Sequence, residues 1–531
     1  MEKNKTLLAV ILSVFIIMTY QMWMAKRYPQ ANVAPQERAQ TVTPAVAEPL
    51  KGLSGETIAE QETEYGVETE KFLLTFSNIG GALKKVELKE FSDRETGQPY
   101  GLMSAKDPAY YIGAASIIEE GIGPGATYSA ERSGNKMIFT RSTEGLEVEK
   151  VYTIHNTLDY IELYITIRNN TDRDIKATTR MITGSSIDIS SMMSQRYHYV
   201  SAKADGVIGW YKKEATKAGD ISWVTLNNEY FMILTRPSQI VRKAIVGTLN
   251  IEGSRQKNIY CGLECEALDI SKGRDATQRF LIYIGPFETS RLATLGMGLE
   301  EAVNYGKLNT IVKALFSTLR LFQKVVRNWG VAIICLTVLV NAILFPLTRN
   351  SYKSLKVSQE LQPQIEKLRA AHKDNPNKAQ KEIMELYRKY KVNPLGGCLP
   401  MFLQFPIFFA LYHVLIRSIE LKGASFLWAK DLSMPDALSL PFTLPFLGNS
   451  INILPIAASA IMFIQQKVMS GSSAANASEQ MRQQQAMMAV MIPGMMLVFF
   501  YKMPSGFVLY FLVNSALMAY VQHKIKTSLA P

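Results

Sequence analysis

Cysteine and histidine are scarce in this chain of 531 residues, which contains four cysteines and five histidines. The four cysteines of this long chain do not make a disulfide framework, although a pairing of Cys261 with Cys265 stays open. The histidines are scattered, and no group of His, Cys, Asp and Glu has the spacing of a metal site. We therefore expect neither a metal nor a cofactor.

Motifs for binding nucleotides and nucleic acids are also missing. The sequence has no G-x-x-x-x-G-K-[ST] loop, which argues against an activity driven by nucleotide hydrolysis. It has no helix-turn-helix pattern and no aromatic RNA-binding motif, so membrane orientation explains the net charge of +12 better than nucleic acid does. Since no Ser-His-Asp set or carboxylate pair is visible, no catalytic residue is assigned, and we expect a protein that is not an enzyme.

Long apolar runs are present, and they predict six membrane-spanning helices. The first, residues 6–24, is uncharged and long enough to cross a bilayer. A cleaved signal peptide is the alternative, but its apolar region would be too long and no small-x-small site follows it. The other predicted spans are residues 329–347, 399–416, 451–469, 486–501 and 506–521.

The distribution of charge predicts how these spans are oriented. The segment 349–391 contains eleven Lys or Arg against five Asp or Glu, whereas 417–450 contains three of each. Cytoplasmic loops carry the excess of Lys and Arg. We therefore expect the segment 349–391 and both termini in the cytoplasm, and the large segment after the first span outside.

The segment between the first two spans predicts a separate all-β domain. Residues 1–25 are the predicted anchor, and residues 26–63, rich in Ala, Pro, Gln and Glu, predict a flexible linker. From 64 to 300, short β-branched and aromatic runs alternate with turn residues, which is typical of a β-sandwich. Docking or spacing is the simpler role for such a domain, and sugar processing is the alternative. Residues 301–328 predict an amphipathic helix that lies in the membrane interface or packs on the sandwich.

The basic segment 349–391 predicts a helical hairpin. Apolar residues recur at helical spacing on both sides of the turn Asp374-Asn375-Pro376-Asn377. A solvated face is the simpler explanation of its charge, and contact with acidic lipids, nascent chains or ribosomal RNA is the alternative. The residues predicted for such contacts are Lys353, Lys356, Arg369, Arg388 and Lys389.

Several motifs resemble the YidC/Oxa/Alb family of membrane protein insertases. They are Asn328-Trp329-Gly330, Phe345-Pro346-Leu347-Thr348, Asn393-Pro394-Leu395-Gly396-Gly397-Cys398, Gln404-Phe405-Pro406-Ile407-Phe408 and Pro504-Ser505-Gly506. The order of segments resembles the Gram-negative members, which have a large periplasmic β-sandwich. The resemblance implies a multi-pass inner-membrane protein with a five-helix core, residues 329–522. A cytoplasmic tail, residues 523–531, is too short to favour docking of ribosomes.

The resemblance also implies a function. Such a protein inserts newly made inner-membrane proteins and helps them to fold, alone or with the Sec translocon. A hydrophilic groove receives the polar part of the substrate while its apolar helix enters the lipid. Because a charge at the bilayer centre costs about 2.5–3.5 kcal/mol, a wet groove lowers the barrier without ATP. The implied partners are nascent membrane proteins, the Sec translocon, phospholipids and ribosome–nascent chain complexes.

Polar residues inside the predicted spans are the implied groove. They are Thr337, Asn341, Gln404, Asn514 and Ser515, with Ser459 as a weaker candidate. The family usually has an arginine at the position of Asn341, but here no basic residue lies between Arg327 and Arg349, so we expect no such charge. Hydrogen bonding between helices is the alternative role for these side chains. The implied substrate slide is Leu411, Tyr510 and Phe511, for which ordinary packing is the alternative.

Two other functions compete with insertion. A small-solute transporter or channel would show inverted repeats and ionisable residues deep in its spans, yet the one charge inside a predicted span is Lys467, near its end. A membrane-tethered carbohydrate-active enzyme would depend on the β-sandwich alone.

Overall fold

The structure is a computed structural model that describes residues 61–92, 97–189, 192–250, 257–305, 308–372, 375–390, 399–444, 448–470 and 479–528. Three predicted features lie wholly or largely outside these residues: the anchor 1–25, the linker 26–63 and the motif 393–398. The side chain of Lys356 and the last three residues of the predicted tail also lie outside them.

The first part of the described chain is an all-β domain, which confirms the class predicted from the alternating runs. Its strands are β1 (Glu64–Glu68), β2 (Phe72–Ser77), β3 (Ala82–Ser92), β4 (Pro99–Ser104), β5 (Ala115–Ile117), β6 (Ser129–Ser133), β7 (Lys136–Thr143), β8 (Leu146–Ile154), β9 (Tyr160–Asn169), β10 (Ile175–Ala177), β11 (Thr179–Gly184), β12 (Tyr199–Ala204), β13 (Val207–Tyr211), β14 (Ala215–Ala218), β15 (Ile221–Asn227), β16 (Phe231–Pro237), β17 (Val241–Asn250), β18 (Lys257–Cys265), β19 (Leu268–Ile270) and β20 (Asp275–Pro286).

Three antiparallel sheets enclose the core of this domain. The nine-stranded sheet has the order β13-β12-β15-β16-β20-β9-β8-β7-β6, the five-stranded sheet β14-β17-β18-β11-β5, and the four-stranded sheet β1-β2-β3-β4. Strand β8 alternates buried and half-buried residues along its whole length, as expected of a strand with one face in a core. One apolar cluster, which includes Phe76, Phe139 and Leu263, joins the three sheets.

A buried lysine lies inside this core. Lys150 on β8 is fully buried, and its ammonium donates to the carbonyl oxygens of Gly80 at 2.6 Å and Gly113 at 2.9 Å. Gly113 has φ +87°, and a Cβ there would lie 2.0 Å from the Tyr152 hydroxyl. Glycine is therefore required where the backbone approaches Lys150 and Tyr152.

Cys261 and Cys265 are both free and buried, so the pairing left open by the sequence does not occur. They are four residues apart on β18, which places their Cα atoms about 13 Å apart at about 3.3 Å per residue. A disulfide needs Cα atoms within about 7 Å. Burial raises the pKa of both thiols to about 12, and both cysteines serve as small apolar side chains.

Helices make up most of the second part of the described chain, and short ones also occur in the first. The α-helices are α1 (Met192–Arg196), α2 (Thr289–Ala293), α3 (Asn309–Val326), α4 (Trp329–Glu360), α5 (Gln362–Ala371), α6 (Pro376–Lys389), α7 (Leu399–Arg417), α8 (Ile453–Ser470), α9 (Glu479–Phe500) and α10 (Ser505–Ser528). Short 3-10 helices occur at Pro108–Tyr110, Leu299–Ala302 and Ile419–Leu421, and a two-stranded hairpin, β21 (Leu438–Leu444) and β22 (Gly448–Ile451), follows α7.

Helix α4 extends beyond the predicted span 329–347. It continues through Pro346 to Glu360, so the span and the beginning of the predicted hairpin form one helix. Asn375 then caps α6 by accepting the Lys378 amide at 3.1 Å, with Pro376 in the first turn. Helices α5 and α6 contact each other through an apolar cluster around Ile365 and Ile383.

The amphipathic helix α3 packs on the other helices. Val312 and Leu319 are buried in a cluster with residues of α4, α7, α8 and α10. Leu321 and Val325, in contrast, are 60% and 74% exposed. The buried stripe of α3 therefore contacts the helical core, and the sandwich is not its main packing partner.

Two helices of the described residues are apolar and long enough to cross a membrane, Trp329–Ser354 and Ser505–Ile525. Shorter apolar helices cover Gln404–Arg417, Ile453–Lys467 and Met487–Phe500. The helical core of the described residues thus contains two long and three shorter apolar helices. The presence of six membrane spans stays a prediction.

Candidate functional site

Asn341 and Asn514 form a polar contact between two long helices. Asn341 Nδ2 on α4 donates to Asn514 Oδ1 on α10 at 3.0 Å, and also to the carbonyl oxygen of Thr337 at 2.8 Å. Both asparagines are half-buried. The structure therefore brings together two of the predicted groove residues.

A second polar contact joins α10 to α7. Gln404 Nε2 donates to the Tyr510 hydroxyl at 2.8 Å, and Tyr510 is buried. Tyr510 and Asn514 are four residues apart and therefore lie on the same side of α10. We call Thr337, Asn341, Gln404, Tyr510, Asn514 and Ser515 the polar seam.

The other predicted polar residues differ in their surroundings. Thr337 is fully buried, and its hydroxyl donates to the carbonyl oxygen of Ile333 in its own helix at 2.7 Å. Ser515 is buried next to Asn514. Ser459 on α8 is buried, and its hydroxyl has no hydrogen-bond partner among the described residues.

Sequence reasoning missed a third polar contact, which is the second between α4 and α10. Gln522 Nε2 donates to the Tyr352 hydroxyl, and Gln522 is buried. Gln522 follows Asn514 by eight residues, about two helical turns, so the two side chains lie on a similar side of α10. Tyr352 was not predicted because the predicted span ends at residue 347, five residues before it.

The three residues predicted for the substrate slide lie mainly inside the helical core. Leu411 and Tyr510 are almost completely buried, and Phe511 is half-buried, with its ring centroid 4.5 Å from that of Phe500. The exposed aromatic surface of α7 is formed by Phe405 and Phe409, which are 47% and 50% exposed. Their stacked rings are 6.4 Å apart, and their four-residue spacing is the signal that would have revealed them.

The basic residues predicted on the hairpin are exposed wherever their side chains are described. Lys353 lies on the last part of α4, Arg369 on α5, and Arg388 and Lys389 at the end of α6. The contact between α5 and α6 is formed by an apolar cluster around Ile365 and Ile383. The exposed basic residues take no part in this cluster.

Arg417 at the end of α7 is a further residue that sequence reasoning did not identify. Its guanidinium lies 3.7 Å from the Phe287 ring centroid and 4.9 Å from that of Tyr197. Its Nε donates to the carbonyl oxygen of Glu229 at 3.3 Å. Because these three partners belong to the all-β domain and Arg417 is buried, the cation joins that domain to the helical core.

A second cation connects the same parts. Arg320 on α3 contacts Glu288 and Glu420, each at 2.5 Å. Glu288 precedes α2, and Glu420 follows α7. Burial raises the pKa of Glu288, but the hydrogen bond from Ser290 and the Arg320 guanidinium together hold it below its usual range.

One charged cavity of the all-β domain contains residues that pair with each other. It has a volume of about 710 Å³ and includes Lys71, Glu90, Asp159 and Arg291. Lys71 contacts Asp159 at 2.7 Å, and Arg291 contacts both Asp159 and Glu90. Arg291 also lowers the pKa of Glu90. Carboxylates held in this way are poor general acids.

No group of three or more His, Cys, Asp and Glu side chains in the described residues is arranged to hold a metal ion.

The chain matches two family descriptions and several known proteins. "YidC periplasmic domain" matches residues 64–318, and "60Kd inner membrane protein" matches residues 321–530. The "Membrane protein insertase YidC" of Methylobacillus flagellatus is 30% identical over 99% of this chain and 98% of that protein. The one from Pelobacter propionicus is 31% identical over 97% of each. A solved structure, "Active YidC insertase crystal structure with the first transmembrane domain resolved", covers 89% of this chain and 94% of its own at 17% identity, with a TM-score of 0.36.

An all-β periplasmic domain followed by a helical core defines a class of inner-membrane proteins. The chain belongs to the YidC family of membrane protein insertases.

Proposed function

We propose that the protein inserts newly made membrane proteins into the inner membrane and that the polar seam receives their polar segments. The observation that carries this proposal is the pair of contacts Asn341–Asn514 and Gln404–Tyr510, which bring polar side chains of three apolar helices to one side of α10. Amides and hydroxyls both donate and accept. A polar segment of a substrate that passes the seam therefore replaces its hydrogen bonds to water with hydrogen bonds to these side chains.

The seam offers hydrogen bonds without a fixed charge. Thr337, Asn341, Gln404, Asn514 and Ser515 line the proposed groove, and water reaches them from the cytoplasmic side. A charged side chain at the bilayer centre costs about 2.5–3.5 kcal/mol, so a hydrated path of this kind lowers the barrier without nucleotide hydrolysis. No covalent chemistry is part of this function.

The exposed aromatic surface of α7 is the proposed slide. Phe405 and Phe409 are half-exposed, and Phe405 is the immediate neighbour of Gln404 in the seam. A substrate whose polar end is in the seam would place its apolar helix against these rings. Phe511 extends this surface from α10, while Leu411 and Tyr510 support it from inside.

The proposed topology has six spans, with both termini and the helices α5 and α6 in the cytoplasm. The excess of Lys and Arg in residues 349–391 supports this orientation. The exposed residues Lys353, Arg369, Arg388 and Lys389, together with Lys356, would then contact acidic lipid headgroups or the ribosome–nascent chain complex. Association with the Sec translocon is proposed from the family resemblance.

Site-specific crosslinking to a stalled nascent membrane protein tests the proposal. A photoreactive residue replaces Asn341, Gln404, Phe405 or Phe409 in turn, and Leu411 serves as the buried control on the same helix as the last three. We expect crosslinks from the four test positions and much weaker ones from position 411. Equal crosslinking at every position, or none at position 341, would contradict the proposed path.

Access of water to the seam is tested independently. In a chain without its natural cysteines, Asn341→Cys should react with a membrane-impermeant thiol reagent added on the cytoplasmic side. Leu336→Cys is the control, because Leu336 is buried in the apolar cluster of the helical core. A protected thiol at position 341 would overturn the hydrated groove.

The two competing functions give different results in simple experiments. Proteoliposomes that conduct small solutes but insert no protein would favour a transporter or channel. Deletion of residues 64–296 would abolish a carbohydrate activity of the sandwich, whereas insertion should largely survive it.

A further inference from the structure

Strand β13 forms one edge of the nine-stranded sheet, and its two faces have different surroundings. Tyr211 packs against the core of the sandwich, whereas Ile208 packs on the opposite side with a cluster that contains Leu299. Trp210 lies two residues from Ile208 and therefore on the same face. It is 51% exposed.

This edge of the sheet lies beside the end of α7. Lys203, which is opposite Ile208 in the register, contacts Glu301 at 2.5 Å. Further along the edge, Lys212 Nζ donates to the carbonyl oxygen of Arg196 at 2.9 Å. The Arg196 guanidinium in turn lies 5.8 Å from the ring centroid of Tyr412 on α7.

Positive charge is concentrated around this edge. Arg196, Lys212, Lys213 and Lys257 are exposed. The three lysines, with Gln195, His198, Glu214, Thr248 and Ile259, surround an open cavity of about 640 Å³. We call Arg196, Trp210, Lys212, Lys213 and Lys257 the basic edge.

The polar groups around this cavity do not balance its charge. Glu214 is the one acidic residue that lines it, and its carboxylate accepts a hydrogen bond from Thr248 at 2.7 Å. Both ring nitrogens of His198 are in hydrogen bonds, to the Asn227 carbonyl and to the Ile259 amide, and burial lowers the pKa of this histidine. Burial and the nearby Arg196 guanidinium lower the pKa of Lys212. An anion would relieve this repulsion between like charges.

We propose that the basic edge binds the phosphate headgroups of anionic phospholipids in the outer leaflet of the inner membrane. Lys and Arg side chains close to a bilayer are attracted to anionic lipids, and an exposed tryptophan is typical of the interface between lipid and water. The inference depends on the proposed topology, in which the Arg417 end of α7 faces the periplasm.

The full chain in lipid nanodiscs provides the test, with Trp210 as the reporter. The difference in fluorescence between the wild type and Trp210→Phe isolates the emission of Trp210. Phospholipids brominated near the headgroup end of their acyl chains quench a nearby tryptophan. We compare nanodiscs that contain the same fraction of brominated phosphatidylglycerol or of brominated phosphatidylcholine.

We expect Trp210 to be quenched more strongly by the brominated phosphatidylglycerol. The double variant Arg196→Glu with Lys212→Glu should remove this preference, because each basic residue near an anionic surface changes binding by about fivefold. The matched control is Arg132→Glu with Lys136→Glu, on β6 and β7 at the opposite edge of the same sheet. That variant should keep the full preference.

Equal quenching by the two lipids would overturn the proposal, and so would the same loss of preference in the control variant. Absence of quenching by either lipid would do so as well, because Trp210 would then lie away from the bilayer. The measurement needs no substrate. A protein that shows the lipid preference and inserts nothing would therefore contradict only the proposed function.

Discussion

The side chain of Asn341 donates a hydrogen bond to Asn514 at 3.0 Å and so connects α4 with α10 through two neutral amides. The family usually has an arginine at the position of Asn341. A neutral amide attracts no acidic substrate tail over a distance, whereas a guanidinium does. We therefore expect this protein to select substrates by the polarity of their segments more than by their charge.

Replacement of Asn341 by Arg should increase the insertion of substrates with acidic tails. Asn514 Oδ1 remains available as an acceptor for the guanidinium, so the substitution should be tolerated. Insertion into proteoliposomes of two substrates that differ only in an acidic or a neutral tail measures the preference.

Asn341→Leu is the control for the loss of the amide, and Val338→Arg is the control for a charge on an exposed part of the same helix. An unchanged preference in Asn341→Arg would contradict the prediction. So would an equal gain in Val338→Arg, since that charge would act outside the seam.

The Gln404–Tyr510 hydrogen bond should contribute modestly to the stability of the helical core. Hydrogen bonds between membrane helices are worth about 0.6 kcal/mol on average and up to about 2 kcal/mol. A double-mutant cycle of Gln404→Leu and Tyr510→Phe, measured by unfolding in mixed micelles, should give a coupling free energy in this range. Strictly additive effects would show that the two side chains do not interact.

Lys150 should make the stability of the all-β domain depend on pH. Burial lowers the pKa of its ammonium from the ordinary value of 10.5 to about 7. Below pH 7 both the folded and the unfolded states bind the proton. Between about pH 7 and 10 the unfolded state alone binds it, so stability rises with pH by about 1.4 kcal/mol per pH unit.

Lys150→Met should abolish this rise. Chemical unfolding of the full chain, followed at several pH values by a signal from the all-β domain, measures it. The same substitution at the exposed Lys136 on β7 is the control and should leave the slope intact. A wild-type stability that falls between pH 7 and 10 would contradict the assigned burial.

Arg417 should be required for the attachment of the all-β domain to α7. Arg417→Leu removes the cation from Phe287 and Tyr197, and a desolvated cation–π contact is worth about 2 kcal/mol. Arg417→Lys keeps the charge but loses the planar guanidinium that stacks on the rings. We expect both variants to raise hydrogen exchange in residues 197–199 and 286–288, with the larger effect for Leu.

Exchange in β8, which lies away from this contact, should not change in either variant. Arg369→Leu, which removes an exposed arginine on α5, is the control. Unaltered exchange in Arg417→Leu would show that other contacts suffice to hold the domain.

Local patterns in the sequence predicted many elements because those elements follow local rules. The alternation of apolar and polar side chains in residues 146–154 predicts β8, and in the structure every second residue of β8 is buried. Polar residues in apolar runs predicted Asn341, Gln404 and Asn514, which the structure joins in pairs with each other or with Tyr510.

Features that depend on distant residues were not predictable in this way. From the sequence, Arg417 was recognised only as one charge of a loop. Its partners Tyr197, Glu229 and Phe287 precede it by 130 residues or more, so no local pattern connects them. The end of α4 at Glu360 was missed for a different reason. Hydropathy reports where the continuous apolar run stops, whereas the helix continues through the mostly polar residues 348–360.

The contact of Arg417 with Phe287 has a mechanical consequence. Helix α7 continues from Arg417 back to Gln404 over thirteen residues, a distance of about 20 Å, with Pro406 inside it. A force applied to the all-β domain from the periplasm would therefore be transmitted through Arg417 to the helix that bears both Gln404 and the two exposed phenylalanines.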